Sequence, residues 1–503
     1  MNTFHEDAER CVRIVQAKDE RFDGFFITAV LTTKIYCRPS CPVVPPKPQN
    51  MRFYPSAAAA AANGFRACKR CRPNAAPGSP EWNVRADLVS RAVRLIADGV
   101  VDRDGVPGLA SRLGYSVRQV ERHLMAEVGA GPLALARMQR AQSARVLIEG
   151  THLPFAEIAM ASGFSSVRAF NETVREVFAM SPGELRGAPR PRAGIRGAAR
   201  PGPGPDQSPA SINLKLPFRQ PFCPDNLFGH LVATAVPGVE EWRDGAYRCA
   251  FRLPSGHAIA ALRPLPDHIA CQLWLTDPSD LTAAISRCRR LLDLDADPVA
   301  IDDQLSRDEA LAPLVAKTPG RRVPRIIEPE QFAVRAVLGQ QVSTAAARTH
   351  AARLVLAHGE PIHDPAGGLT HLFPTPAALA DLDPQSLAMP RTRREALLGL
   401  IRALNSGDLT LDIGSDWNAT REQLYALPGF GPWTVESIAM RALGDPDAFI
   451  PGDLGVRQAA ERLGLPTGAG PLTARAQAWR PWRSYAVQHL WGTSDHAINR
   501  MPV

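Results

Sequence analysis

The prediction for the second half of the chain starts from the stretch Leu427-Pro428-Gly429-Phe430-Gly431-Pro432-Trp433-Thr434. Gly429 and Gly431 allow the backbone to turn tightly between two helices. The N–H groups at the start of the second helix can then bind a phosphate group. An ordinary loop between two helices is the alternative, and the stretch by itself does not choose between the two interpretations.

Asp453 follows this stretch, nineteen residues after Thr434. Its structural interpretation is the N-cap of a helix that runs to Leu463. An N-cap also holds a carboxylate in a fixed place, so the structural role is compatible with a catalytic one. Asp453 is therefore the first candidate catalytic residue.

The hairpin and the aspartate together resemble the helix-hairpin-helix DNA glycosylase superfamily, whose catalytic aspartate follows the hairpin at a similar distance. Further matches narrow the resemblance to the 3-methyladenine DNA glycosylase II type. They are Val337–Ser343, Phe373–Pro376 and Trp479–Tyr485, and the last continues to His489-Leu490-Trp491. The resemblance covers about residues 211–495 and implies a glycosylase in this part of the chain.

The resemblance also implies individual roles. Trp433 and Trp491 would line a pocket for a flipped base, with ordinary core packing as the alternative. Gln341 stands where well-known relatives insert an apolar wedge, and Ser437 replaces a pocket tyrosine. The hairpin glycines, Gly429 and Gly431, would contact DNA. A monovalent cation bound at the hairpin is a further cofactor that the resemblance allows.

The chemistry of such a site follows from its substrate. An N3- or N7-alkylated purine is cationic, and indole faces can hold it. Asp453 can stabilise the developing oxocarbenium ion and help water to attack the sugar carbon. Lyase relatives have a lysine where this chain has Trp433, so a monofunctional enzyme is expected. No cysteine follows Cys288, so the iron–sulfur cluster of some relatives is not expected.

Four of the nine cysteines form two close pairs, Cys37 with Cys41 and Cys68 with Cys71, and 26 residues separate the pairs. Each pair can place two sulfurs on one metal ion, and two pairs complete a tetrahedral zinc site. Four unrelated thiols are the alternative, which the paired spacing disfavours. The pattern predicts one zinc ion held by four thiolates.

Basic residues flank these cysteines, namely Arg38, Lys69 and Arg70. They give the surrounding surface a charge that suits phosphate. A zinc-bound sulfur is a thiolate and hence a nucleophile as well as a ligand. A zinc ion that only stabilises the segment, or a zinc domain that only binds a protein partner, are the alternatives.

The stretches Ile35–Cys41 and Gly64–Cys71 resemble the N-terminal domain of the Ada adaptive-response regulators, over about residues 4–75. This resemblance implies that Cys37 takes a methyl group from a methylphosphotriester in DNA, once and irreversibly. Methylation would convert one thiolate into a neutral thioether. DNA affinity should then rise because phosphate contacts dominate binding, which predicts a damage-sensing switch.

A short helix, a glycine turn and a serine cap occur twice in the basic part of the chain. The units are Leu109–Ser116 and Ile158–Ser165, so the expected caps, Ser116 and Ser165, lie 49 residues apart. Tandem units of this kind can place two recognition helices in successive turns of the major groove. With the ending Ser181–Arg186 they resemble the AraC-type DNA-binding domain, and the residues expected to contact DNA are Arg118, Arg122 and Arg168.

The two halves of the chain differ in charge, which agrees with a chain of several domains. Through residue 210 there are 29 Lys and Arg against 19 Asp and Glu, and the remainder has 29 against 31. The basic excess of the front half favours a polyanionic partner there. The chain has no apolar run that could span a bilayer and no secretory leader at its start, so a cytoplasmic location without a membrane partner is expected.

The predicted fold is multidomain. It consists of a small α+β zinc domain (1–78), an all-α tandem helix-turn-helix domain (83–186), a Pro- and Gly-rich flexible linker (187–210), an α+β strand-rich subdomain (211–295) and an all-α helix-hairpin-helix glycosylase domain (296–503). The predicted function is DNA alkylation repair with regulation of the adaptive response. Double-stranded DNA, both alkylated and promoter, and RNA polymerase are the expected partners. The alternative is a transcription factor with a catalytically silent second half.

Overall fold

The computed structural model describes residues 4–502 apart from 20–21, 24, 42, 69–70, 72, 74–87, 152 and 188–210. Lys69, Arg70 and all of the predicted linker except Gly187 lie outside the described residues. Gly187 itself is the last residue of a helix rather than part of a linker. In the described part of the chain, no helix is both long enough and apolar enough to cross a bilayer.

The first region is a four-stranded sheet with two helices. Its elements are α1 (Ala8–Ala17), β1 (Ile27–Val30), β2 (Ile35–Cys37), β3 (Met51–Tyr54), α2 (Ala57–Ala62) and β4 (Arg66–Ala67). The strand order is β3-β1-β2-β4, and β2 and β4 are parallel with Tyr36 opposite Ala67. Cys37, the last residue of β2, and Cys68, the residue after β4, therefore lie side by side.

Helix α2 forms as its sequence predicts. The Ser56 hydroxyl accepts a hydrogen bond from the backbone N–H of Ala59, which makes Ser56 the N-cap of a run of six alanines. Gly64, with φ at 80°, follows the helix. The Ser56 hydroxyl also donates to the carbonyl of Val128 at 2.9 Å, so the cap joins the first region to the helices that follow.

The second region is entirely helical. Its helices are α3 (Leu88–Ala97), α4 (Val100–Leu113, interrupted at Gly105), α5 (Val117–Val128), α6 (Pro132–Gly150), α7 (Phe155–Ala161), α8 (Val167–Phe178) and α9 (Pro182–Gly187). Ser116 caps α5 in a full capping box with Gln119, as expected. The two recognition helices of the tandem units are therefore α5 and α8.

The cap of α8 differs from the prediction. Ser166, not Ser165, accepts the hydrogen bond from the backbone N–H of Ala169, at 3.1 Å. The reason lies in the turn, because two residues separate Gly163 from the cap, whereas one residue separates Gly114 from Ser116. The prediction that placed the second cap at Ser165 was wrong by one residue.

The third region begins with a five-stranded antiparallel sheet in the order β5-β9-β8-β7-β6. Its elements are β5 (Ile212–Pro217), α10 (Pro224–Ala233), β6 (Glu240–Arg243), β7 (Ala246–Leu253), β8 (Gly256–Pro264), β9 (His268–Leu275) and α11 (Leu281–Leu291). Buried residues of this sheet and of helices α6 to α9 form one apolar cluster. The second helix-turn-helix unit therefore packs directly on the sheet.

The rest of the chain is helical apart from one short strand pair, β10 (Glu360–Pro361) with β11 (His371–Leu372). The helices are α12 (Pro298–Leu305), α13 (Ala312–Lys317), α14 (Pro329–Leu338), α15 (Thr344–His358), α16 (Arg391–Ser406), α17 (Trp417–Tyr425), α18 (Pro432–Ile438), α19 (Leu454–Arg462), α20 (Ala469–Arg475) and α21 (Arg483–Trp491). A π-helical turn, Ala439–Leu443, extends α18. The multidomain fold class is as predicted.

Candidate functional site

The four paired cysteines come together at the end of β2 and β4. Their Sγ atoms all lie within 4.8 Å of one another. A tetrahedral ion with Zn–S bonds of about 2.3 Å places its sulfurs roughly 3.8 Å apart, so the cluster fits one zinc ion. Cys37 is half-buried, while Cys41, Cys68 and Cys71 are buried. Cys37 is therefore the most exposed of the four cysteine residues.

The loop between Cys37 and Cys41 is held by a buried carboxylate. Asp23 accepts hydrogen bonds from the backbone N–H of Ser40 at 3.0 Å and from its hydroxyl at 2.6 Å. Arg38 forms an ion pair with the same carboxylate at 3.1 Å. Burial raises the pKa of Asp23, and the bonds from Ser40 and Arg38 oppose that rise. Arg38, predicted to bind DNA, is thus also part of the support of the thiolate loop.

The predicted hairpin joins α17 to α18. Gly429 has φ at 85°, and a Cβ there would lie 2.7 Å from the Cβ of Ala396, so both conformation and space require glycine. Gly431 is the N-cap residue of α18. Gln340 braces the turn, because its Nε2 donates to the carbonyl of Gly429 at 3.1 Å and to the Thr434 hydroxyl at 3.0 Å.

Gln340 was not singled out in the sequence, although it lies in the quoted Val337–Ser343 stretch. Its neighbour Gln341 is exposed in the turn between α14 and α15, with φ at 54°. This backbone conformation is uncommon for a residue with a side chain. The two adjacent glutamines therefore have different surroundings, since one supports the hairpin and the other lies on the surface.

Asp453 is the N-cap of α19, as expected, and two indoles hold its carboxylate. The Trp491 indole N–H donates to Oδ1 at 2.8 Å, and the Trp433 indole N–H donates to Oδ2 at 3.0 Å. The backbone N–H of Val456 also donates to Oδ1 at 3.1 Å. The three helices α18, α19 and α21 thus bring the three predicted site residues together.

Gly455 makes this arrangement possible. A Cβ at that position would lie 2.9 Å from Cδ1 of Trp491 and 3.2 Å from both the Trp491 Nε1 and the Asp453 Oδ1. The indole edge can approach the carboxylate only because residue 455 has no side chain. A glycine in the first turn of a helix lowers helix propensity, which was a sequence signal for this contact.

His230 packs against the ring of Trp491. Its ring centroid lies 5.7 Å from that of Trp491, with the rings 30° apart. Burial lowers the pKa of His230 well below its usual range, and the nearby Arg441 lowers it further. The imidazole is therefore neutral at pH 7. Ser437, the other departure seen in the sequence, is buried in α18.

The basic residues predicted to read DNA lie on the recognition helices. Arg118 and Arg122 of α5 are exposed. Arg168 of α8 is exposed as well, and it forms an ion pair with Glu172, one turn further along, at 2.9 Å. Such an exposed pair contributes little to stability. The arginine can exchange its partner for a phosphate at low cost.

Four family models match the chain. The metal binding domain of Ada matches residues 10–74, a helix-turn-helix domain matches 109–188, the AlkA N-terminal domain matches 213–328, and the HhH-GPD superfamily of base excision DNA repair proteins matches 334–484. The order of these matches agrees with the order of the regions described above.

Similar proteins have the same combination or one half of it. The probable bifunctional transcriptional activator/DNA repair enzyme AlkA of Mycobacterium tuberculosis is 58% identical over 499 residues, 99% of each chain. The DNA-3-methyladenine glycosylase 2 of Escherichia coli is 33% identical over 55% of this chain and 96% of its own length. The bifunctional Ada of E. coli is 36% identical over 26% of this chain and 36% of its own.

Proposed function

The chain belongs to the family of bifunctional transcriptional activators and DNA repair enzymes that combine an Ada-type zinc domain with an AlkA-type glycosylase, and from this we propose that Asp453 catalyses hydrolytic removal of N-alkylated purines from DNA. The function of the whole chain is DNA alkylation repair combined with regulation. The observation that supports the catalytic assignment is the carboxylate held by the two indoles of Trp433 and Trp491.

The hydrogen bonds of Asp453 support an assignment of the carboxylate oxygen that acts on the substrate. A carboxylate offers about four acceptor positions. Among the residues that the structure describes, Oδ1 accepts from Trp491 and from the backbone of Val456, whereas Oδ2 accepts from Trp433 alone. The remaining position is therefore on Oδ2. We assign this atom to the sugar side, where it stabilises the positive charge that develops at the anomeric carbon.

The reaction is a displacement by water. The bond from the anomeric carbon to the base nitrogen breaks, and its electron pair neutralises the cationic purine. The water oxygen forms the new bond, and Asp453 takes the proton that the water loses. Trp433 has no amine that could form an imine with the sugar, which supports a monofunctional enzyme. The neutral His230 beside Trp491 adds no charge that would repel a cationic base.

The zinc domain carries the second proposed activity. Cys37, Cys41, Cys68 and Cys71 would hold a zinc ion, which when bound would keep the Cys37 sulfur deprotonated and nucleophilic. Cys37 is the most exposed of the four cysteine residues, which supports it as the residue that attacks the methyl carbon of a methylphosphotriester. The bond from carbon to oxygen breaks, the bond from carbon to sulfur forms, and the electron pair stays on the phosphate. The product is a stable thioether, which makes the transfer a single turnover.

Methylation of Cys37 is also the proposed regulatory signal. It removes one negative charge from the thiolate cluster, and repulsion from the DNA backbone falls. The exposed Arg118, Arg122 and Arg168 of the recognition helices then contribute to promoter binding. RNA polymerase is the partner that an activator of this kind contacts.

Release of free 3-methyladenine from methylated duplex DNA tests the glycosylase assignment. Asn caps helices as well as Asp does, so Asp453→Asn should fold normally and lose at least about 100-fold in rate. Asp277→Asn is the matched control, because Asp277 is also an N-cap but lies at an exposed turn before α11. Release by the wild type and by Asp453→Asn at equal rates would remove Asp453 from the mechanism. No release by the wild type would favour a regulator with a silent second half.

Transfer of labelled methyl groups from phosphotriester-containing DNA tests the zinc domain separately. Cys37→Ser should abolish transfer. Cys11→Ser is the control, since Cys11 lies in a separate apolar cluster, and burial raises its pKa to about 12. Methyl transfer that persists in Cys37→Ser would assign the acceptor to another residue.

A further inference from the structure

Helix α3, at the start of the helix-turn-helix region, contacts the glycosylase half at the loop before the first hairpin helix. The Nε of Arg91 donates to the carbonyl of Gly414 at 2.6 Å, and the Nε of Arg94 donates to the carbonyl of Ile413 at 2.7 Å. The guanidinium of Arg94 also lies over the Trp417 ring, 5.0 Å from its centroid. Two directional bonds and a cation–π contact thus fix the loop relative to α3.

The same contact is closely packed. Ile413, from the glycosylase half, packs on the buried core of the first helix-turn-helix unit. A Cβ at Gly414 would lie between 2.7 and 2.9 Å from three side-chain atoms of Leu95, which is itself buried. Real Cβ atoms do not come that close to other carbons. The loop can touch the helix only because residue 414 is a glycine.

A buried ion pair joins the same two parts of the chain. Asp98, just after α3, accepts from the Nε of Arg287 in α11 at 3.2 Å and also pairs with Arg103 at 3.3 Å. Arg287 in turn donates to the carbonyl of Arg252 in β7 at 2.7 Å. Such a pair contributes little net stability, and separating it would leave the charge of Asp98 buried without this partner, which disfavours other arrangements of the interface.

The loop leads directly to the DNA-binding hairpin. Within the loop, Asp412 accepts from the backbone N–H of Gly414 at 2.7 Å, and the Ser415 hydroxyl accepts from that of Asp412 at 2.9 Å. Trp417 is the first residue of α17 and is buried in the glycosylase core. Helix α17 is nine residues long and ends at Tyr425, two residues before the hairpin. A displacement of Trp417 would therefore move the hairpin.

We propose that Arg91, Arg94 and Leu95 are positioning residues for the glycosylase. They hold the loop 411–416, and through Trp417 they set the position of the hairpin that binds duplex DNA. The helix-turn-helix region is thus part of the glycosylase's DNA-binding apparatus as well as a regulator. This inference rests on the glycosylase function proposed above.

The test is steady-state base release from a short methylated duplex by full-length variants. In the double variant Arg91→Ala/Arg94→Ala we expect KM to rise about tenfold, within the roughly 5- to 150-fold range of couplings between sites. We expect kcat to stay the same, because Asp453 and its indoles are not touched. Arg263→Ala is the matched control, since Arg263 also donates to a backbone carbonyl, that of Asp244 at 2.7 Å, but lies on the exposed surface of β8.

A second variant tests the contact from the glycosylase side. Gly414→Ala should raise KM to a similar extent, because the new methyl group overlaps Leu95. Adding Leu95→Ala should restore much of the lost affinity by removing the overlapping atoms. Gly470→Ala is the control, since a Cβ there meets no atom within 4 Å.

The outcomes separate the two proposals. If the wild type releases base but both interface variants keep the wild-type KM, the positioning role is wrong and the glycosylase function stands. A lower Tm with unchanged KM would likewise overturn it, since the contact would then be structural only. A wild type that releases no base would instead defeat the glycosylase proposal. In that case the positioning role is tested by the affinity of the same variants for unmodified duplex DNA. A wild-type affinity would overturn the positioning role, and a reduced affinity would support it.

Discussion

The indole nitrogen of Trp491 lies 2.8 Å from Oδ1 of Asp453, although 38 residues separate the two in the chain. Trp433 binds the other carboxylate oxygen in the same way. Both aromatic residues therefore meet the aspartate with their edges, and the indoles that we propose contact the base also orient the carboxylate. A displacement of either indole would therefore displace the proposed catalytic carboxylate.

Replacing Trp491 by Phe separates the two roles of that indole. The ring is kept, but the N–H that donates to Asp453 is lost. A hydrogen bond to a charged group contributes about 1.5–3 kcal/mol, so kcat for base release should fall roughly 10- to 150-fold. Trp482→Phe is the control, because that ring packs edge-on against Tyr485. An unchanged kcat in Trp491→Phe would show that the hydrogen bond is dispensable.

Gly455→Ala should separate activity from stability. The new methyl group would lie 2.9 Å from Cδ1 of Trp491 and force the indole away from Asp453. A misplacement of that size can cost up to about 100-fold in kcat. Alanine favours a helix by about 1 kcal/mol over glycine, so unfolding should not become easier by much. Gly452→Ala, where a Cβ meets no atom within 4 Å, should keep full activity. Equal rates for the two variants would contradict the proposed crowding.

Removal of zinc should affect one activity and leave the other. The four thiols form their own small cluster, and the two larger apolar clusters of the glycosylase include none of them. Chelation should therefore abolish methyl transfer, while base release continues at the original rate. Metal content and both activities are measured on the same chelated sample. Loss of base release on chelation, restored by zinc, would mean that the glycosylase depends on the metal site.

The position of the second cap gives a stability prediction. Ser166→Ala removes the acceptor for the Ala169 N–H and should lower the free energy of unfolding by about 1 kcal/mol. Ser165→Ala, one residue outside the helix, should change it by much less. Denaturant unfolding of the two variants distinguishes them. A larger loss of stability in Ser165→Ala than in Ser166→Ala would instead make Ser165 the N-cap of α8.

Buried histidine should make the protein less stable in acid. Burial lowers the pKa of His489 to about 3, and Arg321 adds to this effect. Below the ordinary histidine pKa of about 6.5, the unfolded chain binds a proton that the folded chain does not. The free energy of unfolding should then fall as the pH drops from about 6.5 toward 3, by up to roughly 1.4 kcal/mol per unit for this group. His489→Gln should flatten that slope, and an identical slope in the variant would contradict the assignment.

Several features of the site could be predicted from the sequence because local backbone geometry requires them. Two close cysteine pairs predict a four-thiolate cluster, and the structure brings those four sulfurs together. An aspartate before a helix predicts an N-cap, and Asp453 is one. In the hairpin, Gly429 takes a positive φ that few other residues adopt. Each of these patterns acts over a few residues, so spacing alone is informative.

Other features depend on which helices pack together, and the spacing of residues in the sequence does not predict that. Gln340 rather than Gln341 supports the hairpin, although the two are adjacent in the chain. Arg38 pairs with Asp23, fifteen residues earlier, across the thiolate loop. The second cap moved by one residue because its turn is longer by one residue. In the first two cases the partner was chosen by packing between segments, whereas the cap was set by the length of its own turn.

The sequence by itself determined the four thiolates, the capped aspartate, the glycine hairpin and the tandem helix-turn-helix units, since each is set by short-range stereochemistry. Only the tertiary structure decided that the edges of Trp433 and Trp491 face Asp453. It also decided that α3 packs against Gly414, more than 300 residues away along the chain. Such contacts depend on how separate apolar faces are buried against one another. Burial of an apolar face does not specify a particular partner, so the sequence alone does not predict these contacts.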